Sequence, residues 1–321
     1  MNNPIAKSKR VVLAGGSGFC GQLLADWLSA RGWEIVVLTR SADGVRNPAR
    51  AVLWDAKTLG PWAKELDGAA AVINLTGRSV NCRYNETNRR LILDSRVLST
   101  RVIGEAIGQC AVPPPIWLNA STATIYRHSF TREMDENGEI AGDKDAKDEF
   151  SVEVAQAWET ALNEGRTPAT RKVPMRMSMI FAPRKGTVYM ILRRLARVGL
   201  GGSLGGGRQY VAWIHEDDFC RAVEWLLDHE KLTGPFNVAS PNPLTNRDFM
   251  AALRRGVGMP IGLPAARWML EVGAFFLRTE TELMIKSRRV IPGKLLASGF
   301  EFRFPTVNQT IADLERQIKE R

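Results

Sequence analysis

Seven residues near the start, Gly15-Gly16-Ser17-Gly18-Phe19-Cys20-Gly21, constrain this chain more than any other feature. They set glycines at G-x-x-G-x-x-G spacing between two segments. Before them is an apolar, β-branched run, Val11-Val12-Leu13-Ala14. After them, residues 19–31 form an amphipathic stretch in which Leu23, Leu24, Trp27 and Leu28 recur at helical spacing. A strand that turns this tightly into a helix leaves the first helical N–H groups free and aims the positive end of the helix dipole past the strand end. Gly15 permits the sharp exit, Gly18 lets the backbone approach a pyrophosphate, and Gly21 lets the helix pack closely on the sheet. The motif is expected to hold a dinucleotide; without a ligand it is a tight strand-to-helix turn and nothing more.

The end of the second strand, residues 34–39, selects among dinucleotides. An NAD site places a carboxylate there for the ribose 2′-OH. This chain has Thr39-Arg40-Ser41, and the Arg40 guanidinium matches a 2′-phosphate. NADP(H) is expected, with NAD(H) disfavoured. Asp55 stands where a polar contact to adenine would come, or is an ordinary exposed carboxylate.

The pattern then alternates. Residues 70–75 are apolar and close on Thr76-Gly77, 85–109 are helical, and 116–120 are strand-like. Residues 132–148, rich in charge and glycine, read as a solvated loop; 150–163 read as helix and 173–181 as strand, broken by Pro183 and Gly186. Residues 199–207 hold six glycines in nine positions, which suggests a flexible loop over a site. Short strands at 211–214 and 236–239 flank a helix at 217–229, and from about 241 the chain is mainly helical. Such alternation implies a parallel sheet with right-handed crossovers. The fold class expected is α/β: a Rossmann doubly wound parallel sheet with a smaller, mainly helical C-terminal substrate domain. Residues 1–182 with the returning segment 208–240 would form the NADP-binding domain, and 183–207 with 241–321 the substrate-binding domain.

Charge narrows the partners. The chain has 321 residues and a net charge of +10 at pH 7, which suggests an anionic partner. The basic residues lie in scattered pairs such as Arg89-Arg90 and Arg288-Arg289, without interleaved aromatics, so nucleic acid is not expected. No apolar stretch is long enough for a membrane span, so none is expected. Cys20, Cys82, Cys110 and Cys220 form no C-x-x-C pair and lack a zinc-spaced histidine, so no metal is expected. The polar, basic start lacks a secretory core, and a cytoplasmic protein with reduced thiols is the reading.

Gly15 to Gly21 resembles the motif of the extended short-chain dehydrogenase/reductases, the nucleotide-sugar epimerase group. Val72-Ile73-Asn74-Leu75-Thr76-Gly77 resembles the family's third-strand end, which adds Leu75, Thr76 and Gly77 to the cofactor contacts. The stretches 94–101, 201–209 and 213–218, and the C-terminal Val290-Ile291-Pro292-Gly293-Lys294-Leu295, resemble an atypical branch, the YfcH-like "epimerase family protein" group. The resemblance runs from about Lys9 to Leu314. It implies a Rossmann fold, a small C-terminal substrate domain, NADP(H) binding and a poorly defined reaction; with the glycine motif and Arg40, an oxidoreductase or epimerase acting on a small polar substrate is expected. Homodimers formed through two long helices, here 85–109 and 150–163, are an analogy from the superfamily.

Standard members pair a Ser or Thr with Tyr-x-x-x-Lys, whose lysine lowers the tyrosine pKa for proton exchange. Ser121 and Thr122 in Ser121-Thr122-Ala123-Thr124-Ile125-Tyr126 resemble the hydroxyl donors. The Tyr-x-x-x-Lys is missing: none of Tyr84, Tyr126, Tyr189 and Tyr210 has a lysine four residues on. Matching Glu159 to the glutamate that follows the family lysine puts Ser151 and Ala155 at the Tyr and Lys positions. Either Tyr126 takes over as proton donor, or it packs and orients while the standard relay is lost. The latter allows a dinucleotide-responsive binding or regulatory protein without catalysis. Arg208 and Gln209 beside the glycine-rich loop are candidates for an anionic or polyhydroxy substrate. His215, before Asp217-Asp218, is a candidate base or a hydrogen-bonded strand end. Arg176 reads as structural, the Pro183 backbone as lining the nicotinamide pocket, and the apolar segment around Trp268, Met269, Leu270, Val272, Phe275 and Phe276 as helix core.

Overall fold

The computed structural model describes residues 9–271 and 280–320. Strand β1 (Arg10–Ala14) lies inside a seven-stranded sheet. It pairs in parallel with β2 (Glu34–Thr39) on one side and β4 (Ala71–Asn74) on the other. Beyond β2 lies β3 (Arg50–Leu53); beyond β4 lie β5 (Ile116–Thr122), β6 (Arg171–Met177) and, at the far edge, β10 (Phe236–Val238). All six pairings are parallel, in the order β10-β6-β5-β4-β1-β2-β3.

The alternation of side chains along β1 explains why both faces are covered. Val11 and Leu13 join Leu23, Leu24 and Leu28 of α1 (Phe19–Ser29), together with Phe219, Val223 and Leu226 of α5 (Glu216–Asp228). Val12 and Ala14 face the other way, against Val102, Ile103 and Ile107 of α2 (Glu86–Gly108) and Leu162 of α3 (Glu149–Glu164). Asn85 caps α2, its side-chain oxygen accepting from the Asn88 N–H at 2.9 Å.

A separate cluster builds the helical C-terminal region. Phe181, Tyr189, Trp213, Phe249, Leu253, Ile311 and Leu314 join α4 (Val188–Arg197), α6 (Asn246–Gly256) and the C-terminal helix, Val307–Lys319. Among the described residues, no helix is long and apolar enough to cross a membrane.

Four local expectations are corrected. The strand expected over 173–181 is two strands: β6 stays in the main sheet, while β7 (Met179–Phe181) leaves it to pair with β9 (Trp213–His215), which follows the two-residue β8 (Tyr210–Val211). The loop before α3 is not simply solvated, because Met134, Glu136 and Asp148 are buried. Glu136 accepts from the Asn237 N–H at 2.9 Å and the Lys294 N–H at 3.0 Å, tying the loop to distant segments. The glycine-rich loop is packed along part of its length: a Cβ on Gly202 would sit 2.3 Å from the Leu263 backbone, whereas one on Gly206 would meet nothing within 4 Å. Finally, Trp268 and Met269 are 67% and 44% exposed rather than core, and Leu270 alone of its neighbours is buried. Val272, Phe275 and Phe276 lie outside the described residues.

Candidate functional site

The chain runs outward from β1 to β2 and β3, then returns to β4 on the other side of β1. The sheet therefore changes direction between β1 and β4, where open α/β sheets form a crevice at their carboxyl ends. Gly15 leaves β1 with φ +73°, and a Cβ there would lie 3.0 Å from the Thr76 backbone. Gly21 packs so closely that its Cβ would come within 2.3 Å of the Gly16 Cα. These contacts require glycine for the protein's own packing. Gly18 differs. It is the N-cap of α1 with φ −75°, and an added Cβ would meet only the Gly15 carbonyl, at 3.4 Å.

No side chain caps α1, and no acidic residue stands in its first turn. The half-buried Phe19 and Cys20 begin the helix, and burial pushes the Cys20 thiol up to about 11, so it stays neutral. Ser17 is held by a 3.1 Å bond from the buried Thr39 hydroxyl, which joins the glycine turn to the end of β2. Across the crevice, Leu75 donates from its N–H to the Ala14 carbonyl at 2.8 Å, and the Thr76 N–H is held by Asn74 at 3.0 Å. The Thr76 hydroxyl oxygen is buried and has no partner in the described structure, and Gly77 beside it is exposed. A bare helix start, open space over Gly18 and an orphaned hydroxyl opposite fit a phosphate-bearing dinucleotide.

Arg40 is exposed, and among the described residues no carboxylate pairs with it. Ser41, also exposed, donates to Asp43 at 2.8 Å. Asp55 is committed locally. Its oxygens accept from the Lys57 and Thr58 N–H groups at 2.8 and 2.9 Å and from the Thr58 hydroxyl at 2.7 Å. These bonds, the Thr58 backbone bond foremost, hold its carboxyl at about 2.

Ser121 and Tyr126 enter one buried network. Ser121 donates to Glu159 at 2.6 Å, and Arg176 grips the same carboxylate with two 2.8 Å bonds. Arg176 also donates to the Tyr126 oxygen at 2.8 Å, and Tyr126 donates to Asn237 at 2.7 Å. Sequence reading found no cation for Tyr126; β6 supplies one. Burial still outweighs the attraction, and the phenol is pushed up to about 12. Tyr126 is 1% exposed, with its hydroxyl engaged on both sides. Thr122, half-buried, accepts from the Thr124 N–H at 3.1 Å and starts a short helical turn.

A second group of charges was missed by sequence reasoning. The segment 280–288 reaches the end of β5 and the start of α3. Buried Lys286 pairs with Asp148 and donates to the Thr124 carbonyl. Arg288 donates to the Thr124 hydroxyl at 3.1 Å. Ser151, at the position matched to the family tyrosine, donates to Glu282 at 2.8 Å. Burial raises the Glu282 carboxyl and lowers the Lys286 ammonium. Acidic and basic groups therefore do gather at this end of α3, but they come from far along the chain, a separation no local motif reveals.

A polar cavity of about 470 Å³ lies beside this segment, lined by His128, Phe130, Asp143, Arg208, Gln209 and Arg267 among others. Arg208 lies over the Phe130 ring at 5.1 Å, while Gln209 is buried and donates to the Leu204 carbonyl at 2.8 Å. His215 is not among its lining residues. It is buried, accepts from the Asp217 N–H at 3.0 Å as the cap of α5, bonds Asp313 at 3.1 Å and stacks on Phe304. Pro183 is buried just past β7.

Residues 11–239 match the NAD dependent epimerase/dehydratase family. The chain belongs to that family. Residues 265–314 match a domain of unknown function, DUF1731, and contain Glu282, Lys286 and Arg288. Human epimerase family protein SDR39U1 is 29% identical over 310 residues, covering 95% of this chain and 99% of the relative. Epimerase family protein YfhF of Bacillus subtilis is also 29% identical, over 94% of this chain and 98% of its own. A crystal structure of the human protein with NADPH superposes with a TM-score of 0.82 at 27% identity, covering 96% of this chain and 99% of that one. UDP-N-acetylglucosamine 4-epimerase from Bacillus cereus, at 17% identity and a TM-score of 0.73, shares the epimerase/dehydratase fold.

Proposed function

We propose that this protein binds NADP(H) across the β1–β4 crevice and acts as an oxidoreductase or epimerase on a small polar substrate. The observation that carries the reading is the bare start of α1 over an open Gly18, with the exposed Arg40 close behind. Gly15, Gly16, Ser17, Gly18, Phe19, Cys20 and Gly21 would cradle the phosphates. Thr39, Arg40 and Ser41 would meet the adenine ribose and its 2′-phosphate, and Leu75, Thr76, Gly77 and Pro183 the nicotinamide half. The human relative solved with NADPH supports the 2′-phosphate preference. The dinucleotide would supply hydride chemistry. The polar cavity at Arg208 and Gln209 is the substrate site in this reading. Thr122 and Ser121 are the hydroxyls nearest the family's donor positions. Four free cysteines fit a reducing compartment such as the cytoplasm.

A second reading, binding or regulation without turnover, is favoured by one observation: the Tyr126 hydroxyl is buried and doubly engaged. The two readings separate when NADPH absorbance is followed over a panel of carbonyl compounds and nucleotide sugars. Substrate-dependent consumption of NADPH is the expected result. Tight NADPH binding with no consumption across the panel would replace the enzymatic reading with the second.

A further inference from the structure

His128, two residues past Tyr126, lines the polar cavity beside Arg208 and Gln209. The backbone sets its tautomer. Nδ1 accepts from the Ser287 N–H at 3.0 Å, and a backbone N–H only donates, so the ring proton sits on Nε2. Burial lowers the His128 pKa against the pull of Asp143 and Asp148, which leaves the ring uncharged at neutral pH. Among the described residues Nε2 has no hydrogen-bond partner. The ring stands edge-to-face with Phe130, their centroids 4.7 Å apart.

Arg208 lies against the same Phe130 ring, 5.1 Å from its centroid. Among the described residues no carboxylate pairs with it. Arg267, in the same cavity, is engaged: it donates to the Asp145 carbonyl at 2.7 Å and lies 4.0 Å from Glu271. One short segment holds both His128 and the strand start that carries Arg208. Ser287 donates its N–H to His128 and accepts from the Tyr210 N–H at 2.9 Å through its hydroxyl, while Gln209 donates to the Met284 carbonyl at 3.1 Å. The two donors are therefore positioned before a ligand arrives. An uncharged N–H and an unpaired guanidinium beside one aromatic ring suit a small acid: the fork takes a carboxylate, and the N–H a neighbouring oxygen. Asp143 and Asp145 line the cavity too, so a second negative charge on the ligand would face two carboxylates. That favours a monoanion over a phosphate, which is close to doubly charged at neutral pH.

We propose that His128 and Arg208 form a two-point grip for a monocarboxylate with an adjacent hydroxyl or carbonyl oxygen, a 2-hydroxy or 2-oxo acid. Arg208 holds the carboxylate, and His128 donates from Nε2 to the adjacent oxygen. The proposal names the substrate class of the cavity already read as the substrate site, and rests on that reading.

The test titrates the full chain with 2-hydroxybutyrate, butyrate and inorganic phosphate by calorimetry, with and without saturating NADPH. A hydroxy acid and a reduced dinucleotide exchange no hydride, so binding alone is read. 2-Hydroxybutyrate is expected to bind about fivefold tighter than butyrate, because only its hydroxyl meets His128, and phosphate to bind weakest. His128→Phe should erase the preference between the two acids and leave NADPH affinity unchanged. Arg208→Gln should weaken both acids by about tenfold. In NMR spectra of the unmodified protein with isotope-labelled histidine, the His128 Nε2–H resonance, assigned by replacing His215 and His229 in turn, should move when 2-hydroxybutyrate is added. This last measurement decides the role of His128 if His128→Phe does not fold; a resonance that stays still overturns the proposal. So does 2-hydroxybutyrate that fails to bind, or binds no tighter than butyrate or phosphate, and so does either variant matching its parent. Failure of the dinucleotide reading looks different: no NADPH binding by the unmodified protein, with 2-hydroxybutyrate binding that still depends on His128 and Arg208.

Discussion

Gly18 and Gly21 stand three residues apart in one motif, yet the structure gives them opposite duties, and alanine at each should separate fold from ligand. At Gly21 a Cβ falls 2.3 Å from the Gly16 Cα and 2.5 Å from its carbonyl oxygen. Both contacts are backbone, so α1 must lift by about 1 Å from the turn in a close-packed layer. Overpacking of this kind costs about 3 kcal/mol, against about 1 kcal/mol gained from the better helix former. The net loss is about 2 kcal/mol. At ~2.1 cal/mol/K of unfolding entropy per residue, 321 residues translate each kcal/mol into about 1.5 °C, so Gly21→Ala should melt about 3 °C lower. At Gly18 the same methyl meets a single oxygen at 3.4 Å, with an ordinary φ of −75°. Its stability cost, that of a poorer N-cap, is under about 1 kcal/mol. That methyl does occupy the space a phosphate must approach, and NADPH affinity should fall by about tenfold or more, 1.4 kcal/mol. Thermal melts, urea unfolding and calorimetric NADPH titration of both variants are the assay. The reasoning is refuted if Gly18→Ala binds NADPH like the parent, or if the two variants show the same profile.

Other expectations follow from single residues. Arg40→Ala should weaken NADPH by about tenfold while leaving NADH within about twofold, since only the 2′-phosphate loses its partner; equal losses for both would remove Arg40 from the preference. Tyr126→Phe should cost about 1–2 kcal/mol in urea unfolding, because Asn237 loses a buried donor, while NADPH affinity stays unchanged; unaltered stability would contradict the network. Burial lowers the His215 pKa, so the folded state resists protonation and stability is lost as pH falls from the ordinary imidazole value of 6.5 through the folded value. His215→Asn keeps a capping oxygen, and its acid-side loss should be smaller than the parent's in that window; parallel curves would refute the assignment.

The sheet and the glycine turn were legible because both are local. Gly15, Gly18 and Gly21 act on their own turn, and the unbroken apolar run Val11-Val12-Leu13-Ala14 announces a strand covered on both faces. What sequence could not show is pairing at long range. The Thr124 carbonyl meets Lys286 across 162 positions, and Glu136 reaches Lys294 across 158. The loop before α3 looked solvated from its charges, yet two of them, Glu136 and Asp148, are buried against Lys294 and Lys286 of the C-terminal segment. Arg176 was read as structural from its place in a strand, and its grip on Glu159 agrees. Its bond to the Tyr126 hydroxyl was invisible, since nothing in either local stretch encodes the other.

We propose that the turn at Gly15–Gly21, with Arg40 behind it, is built for a pyridine dinucleotide carrying a 2′-phosphate. Titration of the unmodified protein with NADPH and with NADH, read by quenching of its nine tryptophans, tests this most directly. Saturable binding of both is expected, with NADPH tighter by about tenfold or more. Absence of binding, or NADH bound as tightly as NADPH, would contradict it.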